Sequence, residues 1–305
     1  METPAFKHFR ARLFELYGRG VRGEALRLLE EEGGAFPEFE SDILFWRACL
    51  AGCTGDREGA LAALRLAAER GYWYHERMLR DPDLDPIRDS EAMVELQRIF
   101  QERYQRAQAE ARPQREVWEP AGETQGLLVV LHGAGGSIAS EGPYWQPAVE
   151  LGWRVAMLQS SQVWAPGRYH WQDVEKATQE VLQHLEQVGA APTTVLAGFS
   201  MGGGLAVRLT LSGTVSARGF LAVAPAFRLE QMVPLAAAAP RDVRGYIVIG
   251  TQDWSYNAVM SLASELQSAG LSCAVEEYEG LDHDYPAEVS SSLRRGLAFL
   301  QQRDG

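Results

Sequence analysis

The sequence predicts a protein of the α/β class: a doubly wound, mostly parallel sheet preceded by a small all-α domain of helical-repeat character. Three observations predict it. Residues 1–112 carry helical periodicity and almost no strand signal. From Gly126 onward, short apolar runs alternate with helical patterns. Midway through that second half, Gly198-Phe199-Ser200-Met201-Gly202 joins one apolar run to one helical pattern. The 305 residues are 46% hydrophobic and 23% charged, an ordinary globular balance, and the length suits one large domain or two, at about 100–200 residues per domain.

In the first half, helices are expected over residues 5–17, 23–32, 38–53, 57–70 and 90–112. Phe6, Phe9, Leu13 and Leu16 recur at helical spacing in the first, and Leu61, Leu64 and Ala68 in the fourth. Gly18, Gly33, Gly55 and Gly71 punctuate the ends, where glycine suits a cap. A weak repeat sets Gly23-Glu24-Ala25-Leu26 against Glu58-Gly59-Ala60-Leu61, a step of 35 residues between the alanines. That step resembles the helix pairs of tetratricopeptide repeats, whose period is about 34 residues. Residues 81–88 resemble the segment that closes such repeats. So few pairs bury little core alone. A capping or dimerisation module is expected, with a homo-oligomer or a protein partner held through these helices.

Residues 113–126 form a polar linker holding Pro113, Pro120 and Gly122, with an exposed first strand expected at 115–119. The second domain is expected over 127–305. Its strands are read at 127–131, 154–158, 194–197, 220–224, 246–249 and 272–278. Most are continuously apolar, as parallel strands covered on both faces must be. Helical patterns fall at 172–188, 201–212, 229–238, 257–269 and 287–301. Such alternation implies right-handed crossovers and a ligand site beyond the carboxyl ends of the strands.

The chemistry is expected there. In G-x-S-x-G the serine sits on a sharp strand-to-helix turn that exposes its hydroxyl above the sheet. Gly198 and Gly202 leave room for the crowded backbone, and Ser200 is the candidate nucleophile. The alternative is a glycine-rich turn with Ser200 as a helix cap. The strand at 127–131 ends in His132-Gly133-Ala134-Gly135-Gly136. An oxyanion hole needs two backbone N–H groups aimed where the carbonyl oxygen gains charge; Ala134 and Met201 are assigned, with Gly135 as the fallback. The loop lacks the complete glycine patterns of nucleotide sites. His132 precedes the nucleophile and is expected to brace the loop. Asp253 follows a late strand, and His283 follows Asp253 by 30 residues. The order Ser…Asp…His makes His283 the base and Asp253 the acid that orients it. Asp282 and Asp284 are rivals whose adjacency to the ring disfavours them. Trp164, His170, Trp171, Trp254 and Tyr285 are candidate substrate contacts, with ordinary packing the alternative for each. Residues 227–241 are either a small lid or a crossover helix.

Together, His132-Gly133-x-Gly135-Gly136, Gly198-x-Ser200-x-Gly202, Gly250-x-x-Asp253 and His283 resemble the α/β-hydrolase superfamily, in detail its phospholipase/carboxylesterase and dienelactone-hydrolase-like branch. The resemblance spans about residues 127–300 and leaves the N-terminal helices outside. It implies ester hydrolysis through an acyl-serine, with no metal and no cofactor. Thioesterase or peptidase activity on the same residues is the alternative within enzymes. A helical-repeat adaptor with a silent hydrolase scaffold is the alternative outside them.

The formal net charge of −12 argues against nucleic acid as a partner. A small-molecule ester is the expected substrate. No apolar run reaches the ~20 residues of a membrane span. Cys49, Cys53 and Cys273 give no disulfide framework. Residues 1–10 lack a signal core, so a cytoplasmic location is expected.

Overall fold

The computed structural model describes residues 3–302. Residues 1–2 and 303–305, which the expected domains 1–112 and 127–305 include, lie outside the described residues. Contacts divide the chain into two compact units, one running through Glu110 and taking in Trp164–Pro166, the other holding Ala111–Val163 and the chain from Gly167.

The first unit is helical: α1 (Pro4–Gly18), α2 (Arg22–Glu32), α3 (Glu40–Cys53), α4 (Arg57–Glu69), α5 (Glu76–Leu79) and α6 (Glu91–Glu110). Thr3 caps α1 by accepting from Phe6 N, and Asp56 caps α4 by accepting from Gly59 N at 2.8 Å, each satisfying a donor the helix cannot. Phe6, Phe9 and Leu13 meet Ala25, Leu28, Leu29, Ile43 and Leu50 in one core. The helix expected from residue 38 begins at Glu40, because Pro37–Phe39 forms a 3-10 turn. The last helix stops at Glu110 rather than 112, three residues before Pro113, whose ring disfavours helical geometry in the residue preceding it.

The second unit carries a seven-stranded sheet. Its strands are β1 (Gln114–Trp118), β2 (Gly126–Leu131), β3 (Trp153–Gln159), β6 (Thr194–Phe199), β7 (Gly219–Val223), β8 (Arg244–Gly250) and β9 (Ser272–Tyr278). The strand order is β1-β3-β2-β6-β7-β8-β9, and β4 (Gln162–Ala165) and β5 (Arg168–His170) make a separate ribbon. Within the seven-stranded sheet, among the described residues, only the β1–β3 pair is antiparallel. The helices are α7 (Ile138–Trp145), α8 (Val174–Val188), α9 (Ser200–Leu211), α10 (Leu229–Ala238), α11 (Tyr256–Ser268) and α12 (Val289–Gln301).

Alternation along β2 shows why the strands read as continuous apolar runs. Leu127, Val129 and Leu131 pack with Ala177 and Val181 of α8 and Leu205 and Leu209 of α9. Leu128 and Val130 share the opposite core with residues of α11 and α12, among them Leu262 and Leu293. Both faces are covered, so every position is apolar, and each buried Leu or Val contributes about 1.5–3 kcal/mol. The helix α10 buries Met232 and Ala236 in that second core between β7 and β8, as a crossover helix does. Among the described residues no helix is long and apolar enough to cross a membrane.

The sheet order reverses beside β2: the chain steps outward to β3 and β1 on one side and to β6 and beyond on the other. Such a switch point opens a crevice at the carboxyl ends of the strands. Leu131 is registered against Gly198, so the loop after β2 and the turn after β6 leave the sheet side by side.

Candidate active site

The turn after β6 is built around Ser200. Its φ is +50°, a left-handed conformation that costs a non-glycine residue of order 1–3 kcal/mol and persists only where the surroundings impose it. They do so here by close approach. A Cβ on Gly202 would lie 2.2 Å from the Leu131 carbonyl oxygen, and one on Gly198 would lie 2.6 Å from it. Backbone cannot retreat as a flexible side chain can. Gly202→Ala is expected to lower unfolding free energy by about 1–3 kcal/mol or more, read as a drop in urea midpoint; an unchanged midpoint would show that the turn relaxes freely.

The loops after β8 and β9 are tied together: Thr251 N donates to Tyr278 O and Gln252 N to Leu281 O, both at 3.0 Å. This brings Asp253 to His283. The imidazole Nδ1 lies 2.8 Å from Asp253 Oδ2, and Nε2 lies 2.8 Å from Ser200 Oγ. With Nδ1–H donating to the carboxylate, Nε2 is left to accept from the serine hydroxyl. The Asp253 side chain is wholly buried while His283 keeps 22% exposure. The other carboxylate oxygen, Oδ1, accepts from Ser255 N at 2.7 Å and Ser255 Oγ at 2.9 Å. Ser255 escaped sequence reasoning, although an Asp followed two residues later by a donor is the pattern of an Asx turn. Asp284 Oδ1 instead accepts from Tyr285 N.

In the loop after β2, Gly135 N donates to Tyr169 O at 2.7 Å and Gly136 N to Gly133 O at 3.0 Å. The N–H of Gly135, the fallback oxyanion donor, is already engaged by the ribbon strand β5. Among the described residues the N–H groups of Ala134 and Met201 have no partner, which leaves both available to a developing oxyanion. His132 is fully buried and holds the loop from below. Its Nδ1 donates to Gly133 O at 2.7 Å, and its Nε2 accepts from Ser160 N at 3.3 Å. Ser160 in turn donates to Glu180 of α8.

Burial pushes the His132 imidazole down to about 4, since desolvation penalises its charged form. A folded-state pKa below the unfolded value of about 6.5 means stability that is present above that value and lost as pH falls toward 4, about 3 kcal/mol over the interval. His132→Gln is expected to lose less stability than the parent between pH 7 and pH 4.5, as read by urea unfolding at both; equal losses would refute a neutral His132.

Glu141 of α7 is the main feature that sequence reasoning missed. Its Oε1 accepts from Gly133 N and its Oε2 from Tyr285 Oη, both at 2.8 Å. Burial raises its carboxyl to about 7 against the pull of those hydrogen bonds. A lone acid eight residues beyond a glycine-rich loop matches no motif.

The candidate substrate contacts divide. Trp254 is 66% exposed, its ring centroid 5.1 Å from that of His283. His170 is half-buried, its Nδ1 accepting from Gln172 N. Trp171 and Tyr285 follow the packing alternative and are buried: Trp171 Nε1 donates to His132 O, and Tyr285 Oη bridges Glu141 and Trp145. Trp164 groups with the helical unit, where its ring stacks on His75.

A mostly parallel sheet whose serine turn, acid and histidine converge at the carboxyl ends of its strands defines the α/β-hydrolase class. The chain belongs to the alpha/beta hydrolase family, whose model matches residues 128–300. A second model, the N-terminal domain of A/B hydrolase-like proteins, matches residues 5–108. Over 97% of this chain and 98% of the other, the fold is similar to that of an uncharacterized protein from Bacillus cereus ATCC 10987, at 22% identity and a TM-score of 0.55. Over 62% of this chain it is similar to Est1E from Butyrivibrio proteoclasticus, with 95% of that chain covered, 12% identity and a TM-score of 0.51. Esterase PE8 is similar over the same share, with 98% of its own chain covered, 18% identity and a TM-score of 0.50. No curated protein matches the sequence.

Proposed function

We propose that this protein is a serine hydrolase that cleaves carboxylic esters through an acyl-serine intermediate. The observation that carries the reading is the unbroken hydrogen-bond chain from Ser200 Oγ through His283 to the buried Asp253. Ser200 Oγ attacks the acyl carbon as its proton passes to His283 Nε2. The Ala134 and Met201 N–H groups receive the oxyanion. As the tetrahedral intermediate collapses, the ester C–O bond breaks and Nε2–H protonates the departing alkoxide. Water then gives a proton to Nε2, attacks the acyl carbon and releases the acid, returning the proton to Ser200. Asp253 remains a carboxylate throughout and stabilises the imidazolium.

The leaving alcohol must lie within reach of His283 Nε2, and exposed Trp254 flanks that imidazole. The alcohol side of the substrate is therefore the side that meets an aromatic surface. A cytoplasmic setting fits the three cysteines, all of them free.

The test is labelling with a fluorophosphonate, whose phosphorus is attacked by an activated serine with loss of fluoride, followed by peptide mapping. Modification at Ser200 supports the reading. An unlabelled protein, or label on another residue, defeats it. A panel of p-nitrophenyl esters, acyl-thioesters and aminoacyl anilides then separates ester from thioester and amide cleavage.

A further inference from the structure

We propose that Glu141 is a positioning residue: its buried carboxyl clamps the loop carrying the Ala134 donor to the loop carrying His283, holding oxyanion hole and base in register. The inference rests on the esterase reading above and deepens it.

The three groups that would act on substrate come from separate segments, the loop after β2, the turn after β6 and the loop after β9. Beyond the triad itself, Glu141 joins the first of these to the last. One oxygen takes the N–H of Gly133, the residue before Ala134; the other takes the hydroxyl of Tyr285, two residues after His283. The Tyr285 hydroxyl also accepts from Trp145 Nε1 at 3.0 Å, which anchors the link to the end of α7. The Tyr285 ring stacks on Phe199 at 4.5 Å, next to Ser200, and on Tyr144 at 3.9 Å. The loop is wrapped so tightly round the carboxyl that a Cβ on Gly136 would lie 2.0 Å from Oε1.

Packing alone does not call for an acid here. A buried carboxyl is costly unless its oxygens are hydrogen-bonded, and an apolar side chain of similar volume often serves stability as well or better. What an apolar residue could not do is hold the backbone N–H next to Ala134 and the hydroxyl of Tyr285, two residues from His283, in one fixed relation. Displacement of a reacting group by about 1 Å can cost about 100-fold in rate, so such a clamp acts on turnover rather than on substrate affinity.

The variants are Glu141→Gln, which keeps one acceptor oxygen, and Tyr285→Phe, which keeps the ring stacks and deletes only the hydroxyl. Active sites are counted by fluorophosphonate titration, so rates refer to folded, competent enzyme. For a p-nitrophenyl ester, kcat per labelled site is expected to fall about 10–100-fold in each variant with KM within about twofold. A trifluoromethyl ketone, whose hemiketal oxyanion needs the same donors, is expected to bind more weakly by a similar factor. The double variant is expected to be little worse than the poorer single one, since both break one link.

A lowered melting temperature with unchanged kcat per labelled site would overturn the proposal and leave Glu141 a structural residue only. If Glu141→Gln does not fold, Tyr285→Phe alone decides by the same criterion. Failure of the parent enzyme to label at Ser200 would instead remove the esterase reading itself, so the two failures are told apart.

Discussion

Replacing Ser200 by alanine is expected to lower ester turnover by roughly 10⁴–10⁶-fold, with the fold intact and a measurable residue of catalysis above water. The size of the loss follows from what the hydroxyl supplies. Without Oγ there is no covalent step, and His283 has no nucleophile to deprotonate at 2.8 Å. The residue of catalysis follows from what remains: the Ala134 and Met201 N–H groups can still polarise a bound carbonyl, and water can still be oriented near the imidazole. Stability has reason to rise slightly, because alanine removes a buried hydroxyl, although the φ of +50° remains. The measurement is steady-state hydrolysis of a p-nitrophenyl ester beside a thermal melt. A folded variant retaining more than about a tenth of parental kcat would exclude Ser200 as nucleophile, since loss of such a group costs orders of magnitude.

Most of what positions this site was legible in the sequence, for a physical reason that also explains the omissions. Strands buried on both faces must be apolar at every position, so β2, β3, β6, β7 and β8 stood out as runs. Ser200 and Asp253 stood out because each follows such a run, where the fold exposes residues, and His283 stood out by its place in the order Ser…Asp…His after β9. Short or polar elements left no such trace. The helix α7 is eight residues long with Gly142 and Pro143 inside it, too short and broken for a helical period to show. The ribbon of β4 and β5 starts with Gln162 and turns at Gly167, whose φ is +68°, and its strands of four and three residues are too short to show a strand period. An aromatic residue beside a motif reads equally as substrate contact or as packing, and what decides for Tyr285 and Trp171 are partners far away in sequence, Glu141 and the His132 carbonyl. Pairings across 144 and 39 residues are set by the tertiary fold and carry no local pattern. Gly135 shows the same limit at closer range: nothing in His132-Gly133-Ala134-Gly135-Gly136 says that β5 will take its N–H.

Asp253→Asn is the second large effect, and the structure gives it a specific cause. Asn and Asp have nearly the same shape, so packing changes little; what changes is which atom can donate. The Oδ1 of Asp253 accepts from both Ser255 N and Ser255 Oγ. In the variant, the amide oxygen occupies that position, because only it can accept from two donors. The amide nitrogen is then left facing His283 Nδ1 and donates to it. Nδ1 must therefore become the acceptor, and the neutral ring carries its proton on Nε2, the atom that faces Ser200 Oγ. A protonated Nε2 cannot take the serine proton, so the base is disabled while every heavy atom stays near its place. The expected loss in kcat is about 10⁴-fold, the scale found when a triad acid is replaced by its amide, and fluorophosphonate labelling slows in step. Thermal stability and KM should move little, which separates a wrong tautomer from a damaged fold. Turnover within about tenfold of the parent would mean that another acid orients the ring, and Asp282 and Asp284 would be the next to replace. The same reasoning makes Ser255 more than a neighbour: by holding one carboxylate oxygen with two donors, it fixes which oxygen is left for the histidine.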